Sequence, residues 1–450
     1  MTVTSFGLKD GTSLRGCRVV VLGLARSGEA AIGLLSSCGA QVRVLDGVDD
    51  EQRRSLATSL GVEAVFGRTE ADDIGGADLI VTSPGIKPSS VWRMAAEQAG
   101  VPIWSEIELA WRAGIRPLAA ITGTNGKTTA TRMLAEALNA AGVPATAAGN
   151  IGLPLAACRP GQPIVAEVSS FQLDTIDAFT APVAVLLNLA PDHLDWHGSM
   201  DAYAAAKQRL FRNLTPEDRA IAHVDCVSHA SVGPASVEAF DTTEPEGVQT
   251  LGVRDGQLVV ADRRILAVSD LNSSYKPFVL DALAAAGAAL RLGADLARVA
   301  DALASFKPDP HRLETIAEID GVVFVNDSKA TDPHATATAL EAFPGPVILI
   351  AGGLNKGLSF EDVVNASGRV RWVIAMGDAA SEIAEAFAAT GIEIQIRPEL
   401  EDAVNEAARQ AAPGDTVLLS PACASFDRFS SYEERGQRFT EQVLRIQESR

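Results

Sequence analysis

The residues best suited to chemistry lie in Ile121-Thr122-Gly123-Thr124-Asn125-Gly126-Lys127-Thr128-Thr129. Glycines let successive backbone N–H groups turn inward on a polyphosphate, and a helix start adds a partial positive charge. Lys127 is placed to reach the terminal phosphates and the Thr128 hydroxyl to hold Mg²⁺. The full P-loop pattern has a glycine five residues before Gly126, where this chain has Ile121, so the loop is a shortened variant. A chance Gly-Lys-Thr turn is the alternative, and the context argues against it. Pro117-Leu118-Ala119-Ala120-Ile121 leads in as a strand, and Ala130, Met133, Leu134, Ala137 and Leu138 follow at helical spacing.

Glu167 is the second candidate. It closes the apolar run Pro163-Ile164-Val165-Ala166 and precedes Val168-Ser169-Ser170-Phe171-Gln172. A carboxylate at the end of a parallel strand beside a phosphate loop suits Mg²⁺; a capping or surface acid is the plainer reading. His193 and His197 stand four apart, as zinc ligands on a helix do, but no third ligand at a convincing spacing follows, so zinc is not expected. Earlier, the buried-strand pattern Cys17–Leu22 runs into Gly23-Leu24-Ala25-Arg26-Ser27-Gly28, a helix is expected from Glu29, and Gln41–Asp46 is a strand ending in an acid. This is a βαβ unit close to GxGxxG, with Ala25 at the middle glycine. Alone it is a weak signal for NAD, and binding a uridine diphosphate is a related use of the same loop and helix end. The strand from Asp78 ends in the turn Ser83-Pro84-Gly85-Ile86.

Gly-Thr-Asn-Gly-Lys-Thr-Thr at 123–129 resembles the phosphate loop of the Mur ligase family, which also includes folylpolyglutamate synthetases. Other segments extend the resemblance. Ser83-Pro84-Gly85 is similar to the turn lining the family's uridine-nucleotide site, which implies substrate contacts for Gly23, Ala25, Arg26, Ser27 and Asp46 as well. Asn150, in the turn Gly149-Asn150-Ile151-Gly152, is implied near the adenine. The Glu-Val-Ser-Ser-Phe-Gln context of Glu167 and the Asp192-His193-Leu194-Asp195 run match family motifs, with His193 at a second Mg²⁺. Tyr203-Ala204-Ala205-Ala206-Lys207 resembles the segment of the family's carbamylated lysine. Thr128, Glu167, His193 and Lys207 are thus the implied metal set, for two ions. His197 is expected to be structural or solvated.

Towards the end of the chain, Arg312 is implied at the ATP phosphates, with Asp327 and Lys329 at the ribose and the reacting phosphate. Three strands run into Asn326–Pro333, Leu354–Gly357 and Ser420–Asp427, where open α/β sheets bind ligands. In this order these loops resemble the family's D-glutamate-adding branch, which places Thr331, Lys356, Ser425, Phe426 and Tyr432 around the amino acid. Cys423 is read as packing. The implied reaction is ATP-dependent joining of D-glutamate to UDP-N-acetylmuramoyl-L-alanine, in the cytoplasm, by a monomer. One strip departs from the pattern. Pro277-Phe278-Val279-Leu280-Asp281 stands where His-Asn-x-x-Asn is usual, so base recognition falls to apolar packing and Asn150.

The elements that must carry these residues follow from size and pattern. At 450 residues the chain exceeds one core. Three α/β domains are expected: a Rossmann-like N-terminal domain (1–104), a central P-loop-type ATPase domain (105–308) and a Rossmann-like C-terminal domain (309–450). Ser105 and Glu108 read as a capping box opening a bridging helix. Residues 215–270 carry no assignable chemistry, and Phe306-Lys307-Pro308-Asp309-Pro310 reads as an extended linker. The net charge of −19 argues against nucleic acid or anionic membrane as partner. Five cysteines without a CxxC pair fit reduced thiols. No apolar run reaches the length of a membrane span, and Met1–Phe6 shows no leader pattern.

Overall fold

The computed structural model describes residues 13–449. Met1–Phe6, read above for a leader pattern, lies outside the described residues. Among those residues the strands form three sheets.

The first is a five-stranded parallel sheet in the order Glu63–Phe66, Gln41–Asp46, Arg18–Leu22, Leu79–Thr82, Ile103–Ser105. Its inner strands are continuous apolar runs because helices cover both faces. The helix after the first strand spans Arg26–Ser37 and so begins three residues before the expected Glu29. Close packing explains the difference. A Cβ on Gly28 would lie 2.0 Å from the Gly23 carbonyl oxygen, so the first helical turn must sit directly on the loop.

A short helix, Glu106–Arg112, carries the chain to the second sheet. The capping box expected there does not form. Ser105 stands at the N-cap without a side-chain cap bond, and its hydroxyl is buried without a partner. Glu108 instead accepts the backbone N–H groups of Asp177, Ala178 and Phe179 at 2.8–3.0 Å and pairs with Arg112 at 2.6 Å. Three backbone donors and a guanidinium outweigh one helix N–H.

The second sheet runs Arg263–Ala267, Gln257–Val260, Gln249–Arg254, Ser236–Phe240, Arg219–His223, Val183–Leu186, Ala119–Thr122, Ile164–Glu167, Thr146–Gly149. The chemically silent 215–270 stretch supplies five of the nine strands, and the two at one end, Arg263–Ala267 and Gln257–Val260, are the ones that pair antiparallel. Ala119–Thr122 lies between the strand ending in Glu167 and the strand preceding Asn188, with Ile121 opposite Glu167 and Thr122 opposite Leu186. Pairing in register therefore delivers the phosphate loop, the carboxylate and the asparagine to one edge.

The third sheet runs Glu314–Ile319, Val322–Asn326, Thr416–Leu419, Val347–Gly352, Val370–Met376, Glu393–Ile396, parallel except for its first strand. The three strands leading into the candidate ligand loops are neighbours, so those loops leave the sheet side by side.

The chain divides into two compact units. One holds the first and second sheets, with the chain up to Leu189, Trp196–Ser274 and Phe278–Phe306. The other holds the third sheet, from Lys307 onward, together with Ala190–Asp195 and Tyr275–Pro277.

Candidate active site

In the first unit, the phosphate loop opens the helix Lys127–Ala140 from Gly126, whose φ is +82°. Glycine is required twice over here, since a Cβ would also lie 2.2 Å from Asp281 Oδ1. Asn188, just beyond the strand Val183–Leu186, holds the loop in shape. Its Oδ1 accepts the N–H groups of Thr124 and Asn125 at 3.0 and 2.8 Å, and its Nδ2 donates to Asn125 O at 3.2 Å. Thr124 Oγ1 lies 3.0 Å from the Tyr203 hydroxyl. Lys127 Nζ donates to Gly123 O and Thr124 O at 2.9 and 2.7 Å. Thr128 is half-buried and Thr129 buried in the first helical turn.

Glu167 is 2 % exposed. Its Oε1 accepts from Asn150 Nδ2 at 2.8 Å, while Oε2 is buried without a partner. A buried carboxylate oxygen left without a donor fits a cation ligand. Among the described residues no group of three or more His, Cys, Asp or Glu gathers as a metal cage. Mg²⁺ keeps water and phosphate ligands and so draws few ligands from the protein. His197 bonds Ser170 Oγ at 2.9 Å and stacks on Phe171, in keeping with a structural part. Lys207, on the helix Met200–Arg212, is 1 % exposed; its Nζ donates to Gly123 O at 2.8 Å and lies 4.6 Å from the Tyr203 ring centre.

The glycine loop of the first sheet is braced by the acid ending the second strand. Asp46 accepts Leu24 N at 2.7 Å and Val48 N at 2.9 Å and pairs with Arg53 at 3.2 Å. Ser83 Oγ donates to Gly23 O at 3.2 Å, joining the Ser83-Pro84-Gly85 turn to that loop. Ala25 and Arg26 are exposed and Ser27 half-buried; Arg26 donates to Gly152 O. In the altered strip, Phe278 is buried against Phe306, with ring centres 6.1 Å apart.

In the second unit, Asp192 holds two candidates. Its Oδ1 accepts from Lys356 Nζ at 2.7 Å and from His193 N at 2.9 Å, and its Oδ2 lies 3.3 Å from His193 Nε2. Lys329 lies 3.6 Å from Asp309 and 5.3 Å from the Tyr432 ring centre. Asp327 accepts Leu313 N at 3.2 Å and Ser420 Oγ at 2.8 Å, bracing the residue beside Arg312. Burial pushes its carboxyl up to about 7. The neighbouring Arg312 Nε is buried without a partner. Ser425 is buried, Thr331 half-buried, and Phe426 is 70 % exposed. Burial drives the Cys423 thiol up to about 12, which suits packing and not nucleophilic attack.

Sequence reasoning missed Arg435, which is fully buried. Its guanidinium donates to Ser328 Oγ and O at 3.0 and 2.8 Å, to Cys423 O at 3.1 Å and to Gly352 O at 3.4 Å. One side chain thus ties together the three loops after Asn326, Gly352 and Leu419. The available signal was Arg435-Gly436 in a polar helix, where a Cβ on Gly436 would meet His311 Nδ1 at 2.4 Å.

Three family models match the chain: a Mur ligase MurD-like N-terminal domain at residues 17–105, the Mur ligase middle domain at 121–252, and a Mur ligase glutamate ligase domain at 311–423. The UDP-N-acetylmuramoylalanine–D-glutamate ligases of Streptomyces coelicolor and Frankia casuarinae are each 42 % identical to it. The alignments cover 96 and 97 % of this chain and 98 and 96 % of theirs. The chain belongs to the Mur ligase family. Among solved Mur ligases, the UDP-N-acetylmuramate–alanine ligase of Thermotoga maritima shares the fold with TM-score 0.58 at 19 % identity, covering 96 % of this chain and all of that one. The MurF ligase of the same organism, solved with ADP, has TM-score 0.58 at 16 % identity, covering 90 and 95 %. The three-domain α/β fold expected from sequence is therefore that of the Mur ligases. Membership also sets aside the NAD reading of the Gly23 loop, since residues 17–105 match a Mur ligase N-terminal domain. No helix among the described residues is long and apolar enough to cross a membrane.

Proposed function

We propose that this Mur ligase joins D-glutamate to UDP-N-acetylmuramoyl-L-alanine, with ATP cleaved to ADP and phosphate, as a cytoplasmic step of peptidoglycan precursor synthesis carried out by a monomer. The observation that carries the reading is 42 % identity, over nearly the full length of both chains, to enzymes named for that reaction. The assigned domains are 1–104 for the uridine nucleotide, 105–308 for ATP and 309–450 for D-glutamate.

The γ-phosphoryl group of ATP passes to the L-alanine carboxylate, giving an acyl phosphate. The D-glutamate amine attacks its carbonyl carbon, and phosphate leaves from the tetrahedral intermediate. The first step brings two anions together, so positive charge must be placed in advance. Lys127 is held on the loop carbonyls until a phosphate draws it out, and Lys329 and Arg312 are the other cations assigned to the phosphates. The loop N–H groups, kept in register by Asn188, bind phosphate oxygens. Mg²⁺ would be held by the Thr128 hydroxyl and the unpartnered Glu167 oxygen, with His193 and a carbamylated Lys207 at the second ion, and it would neutralise phosphate charge. Gly23, Ala25, Arg26, Ser27, Asp46 and the Ser83-Pro84-Gly85 turn serve the uridine diphosphate; Thr331, Lys356, Ser425, Phe426 and Tyr432 serve D-glutamate, with Asn150 and Asp327 at the adenosine.

Phosphate release with UDP-N-acetylmuramoyl-L-alanine against a panel of L- and D-amino acids tests the proposal. D-glutamate should be the one efficient acceptor; a better rate with L-lysine or diaminopimelate would overturn it.

A further inference from the structure

Glu106 is the first residue of the helix joining the first two sheets, and it is 1 % exposed. None of the steps above uses it. One oxygen accepts the N–H of Ala156, while Oε2 is buried without a partner. Its surroundings are the two turns that orient Glu167. Ala156 lies in the 3-10 turn Leu155–Ala157, a few residues beyond Asn150, and Asn150 grips Glu167 twice, by Nδ2 on Oε1 at 2.8 Å and by its N–H on the Glu167 carbonyl at 2.9 Å. On the other side, the Gln172 amide faces Glu106. Gln172 Oε1 in turn accepts Ser169 N at 3.0 Å and Ser169 Oγ at 3.1 Å, two residues beyond Glu167.

A buried carboxyl group gives up water at both oxygens, and here it meets the Ala156 N–H and the Gln172 amide in return. Ties to both turns around one carboxylate give it a use. We propose that Glu106 is a positioning residue for Glu167, fixing the Asn150 and Ser169 turns so that the Glu167 carboxylate is aimed before a divalent cation arrives. The proposal rests on reading Glu167 as the cation ligand.

The test is the affinity of Mn²⁺ in the presence of ADP, read by electron paramagnetic resonance, for the full-length chain below its melting temperature. Glu106→Gln keeps the acceptor for Ala156 and should bind Mn²⁺ within about twofold of wild type. Glu106→Leu leaves that N–H bare and should weaken Mn²⁺ by roughly tenfold, the lower end for loss of an outer-shell partner. Its KM for the uridine substrate should move less than about twofold, which a general loss of structure would not spare. If the leucine variant does not fold, Glu106→Ser, which admits water to the Ala156 N–H, decides by the same measurement. Unchanged Mn²⁺ affinity in the folded variant, with Glu167→Gln strongly impaired, overturns the positioning role alone. Unchanged affinity in Glu167→Gln overturns the reading of Glu167 and this proposal with it.

Discussion

Two lysines point at one carbonyl. Lys127 Nζ and Lys207 Nζ both donate to Gly123 O, at 2.9 and 2.8 Å, and this crowding separates their roles. Lys127 is half-buried at the helix start. Lys127→Ala should lower ligation by at least roughly a hundredfold, the scale for one preorganised charge contact. Binding of the uridine substrate, followed by calorimetry, should persist. Lys207 is 1 % exposed; the carbamate proposed there forms when the neutral amine attacks the CO₂ carbon and gives up a proton. Lys207→Ala should be nearly inactive and partly rescued by acetate and not by methylamine; the opposite pattern would show that an ammonium acts there. In the second unit, Lys356 rests on Asp192, and in the proposed reaction it exchanges that carboxylate for one on D-glutamate. Lys356→Ala should therefore raise KM for D-glutamate far more than KM for ATP in steady-state assays.

The strip that opens the helix Lys276–Arg291 decides a property of the phosphate element beside it. Where amide side chains are usual, Phe278 is turned inward against Phe306, and Asp281 packs on Gly126. Asn150, the remaining amide, is engaged by Glu167. Under the proposed placement of the base beside this strip, its edge meets little dedicated hydrogen bonding, and discrimination on the ten-thousandfold scale comes from polar groups left unpaired by the wrong ligand. Comparing kcat/KM for ATP and GTP should give a preference well below about ten-thousandfold. A stricter preference would mean that backbone groups read the base.

At the scale of the whole molecule, the buried carboxyl between the first two sheets sets a pH trend in stability. Burial raises Glu106 from the ordinary value of 4.5 to about 7, so the folded chain binds its proton more tightly than the unfolded chain does. The associated stability is full below pH 4.5 and is lost as pH rises towards 7. An amide does not ionise. The melting temperature of Glu106→Gln should therefore gain on that of wild type across this window, by differential scanning calorimetry. A constant difference would mean that water relieves the buried charge.

What the sequence determined by itself was local. Strand, glycine loop and helix around Lys127 are set by neighbours in the chain, as are the βαβ unit at Gly23 and the strand ending in Glu167. Each rests on periodicity and backbone freedom that a few adjacent residues supply. What only tertiary structure decided was which distant groups meet. The Ser105–Glu108 pair looked like a cap, yet three backbone donors near residue 178, invisible to local pattern, claimed Glu108. Asn188 became the brace of the phosphate loop because its strand pairs with Ala119–Thr122. Arg435 became the tie of three ligand loops because strands far apart in sequence are neighbours in the third sheet. A polar side chain's partner is fixed by where burial leaves an unpaired donor or acceptor, and that is settled only when the sheets have assembled.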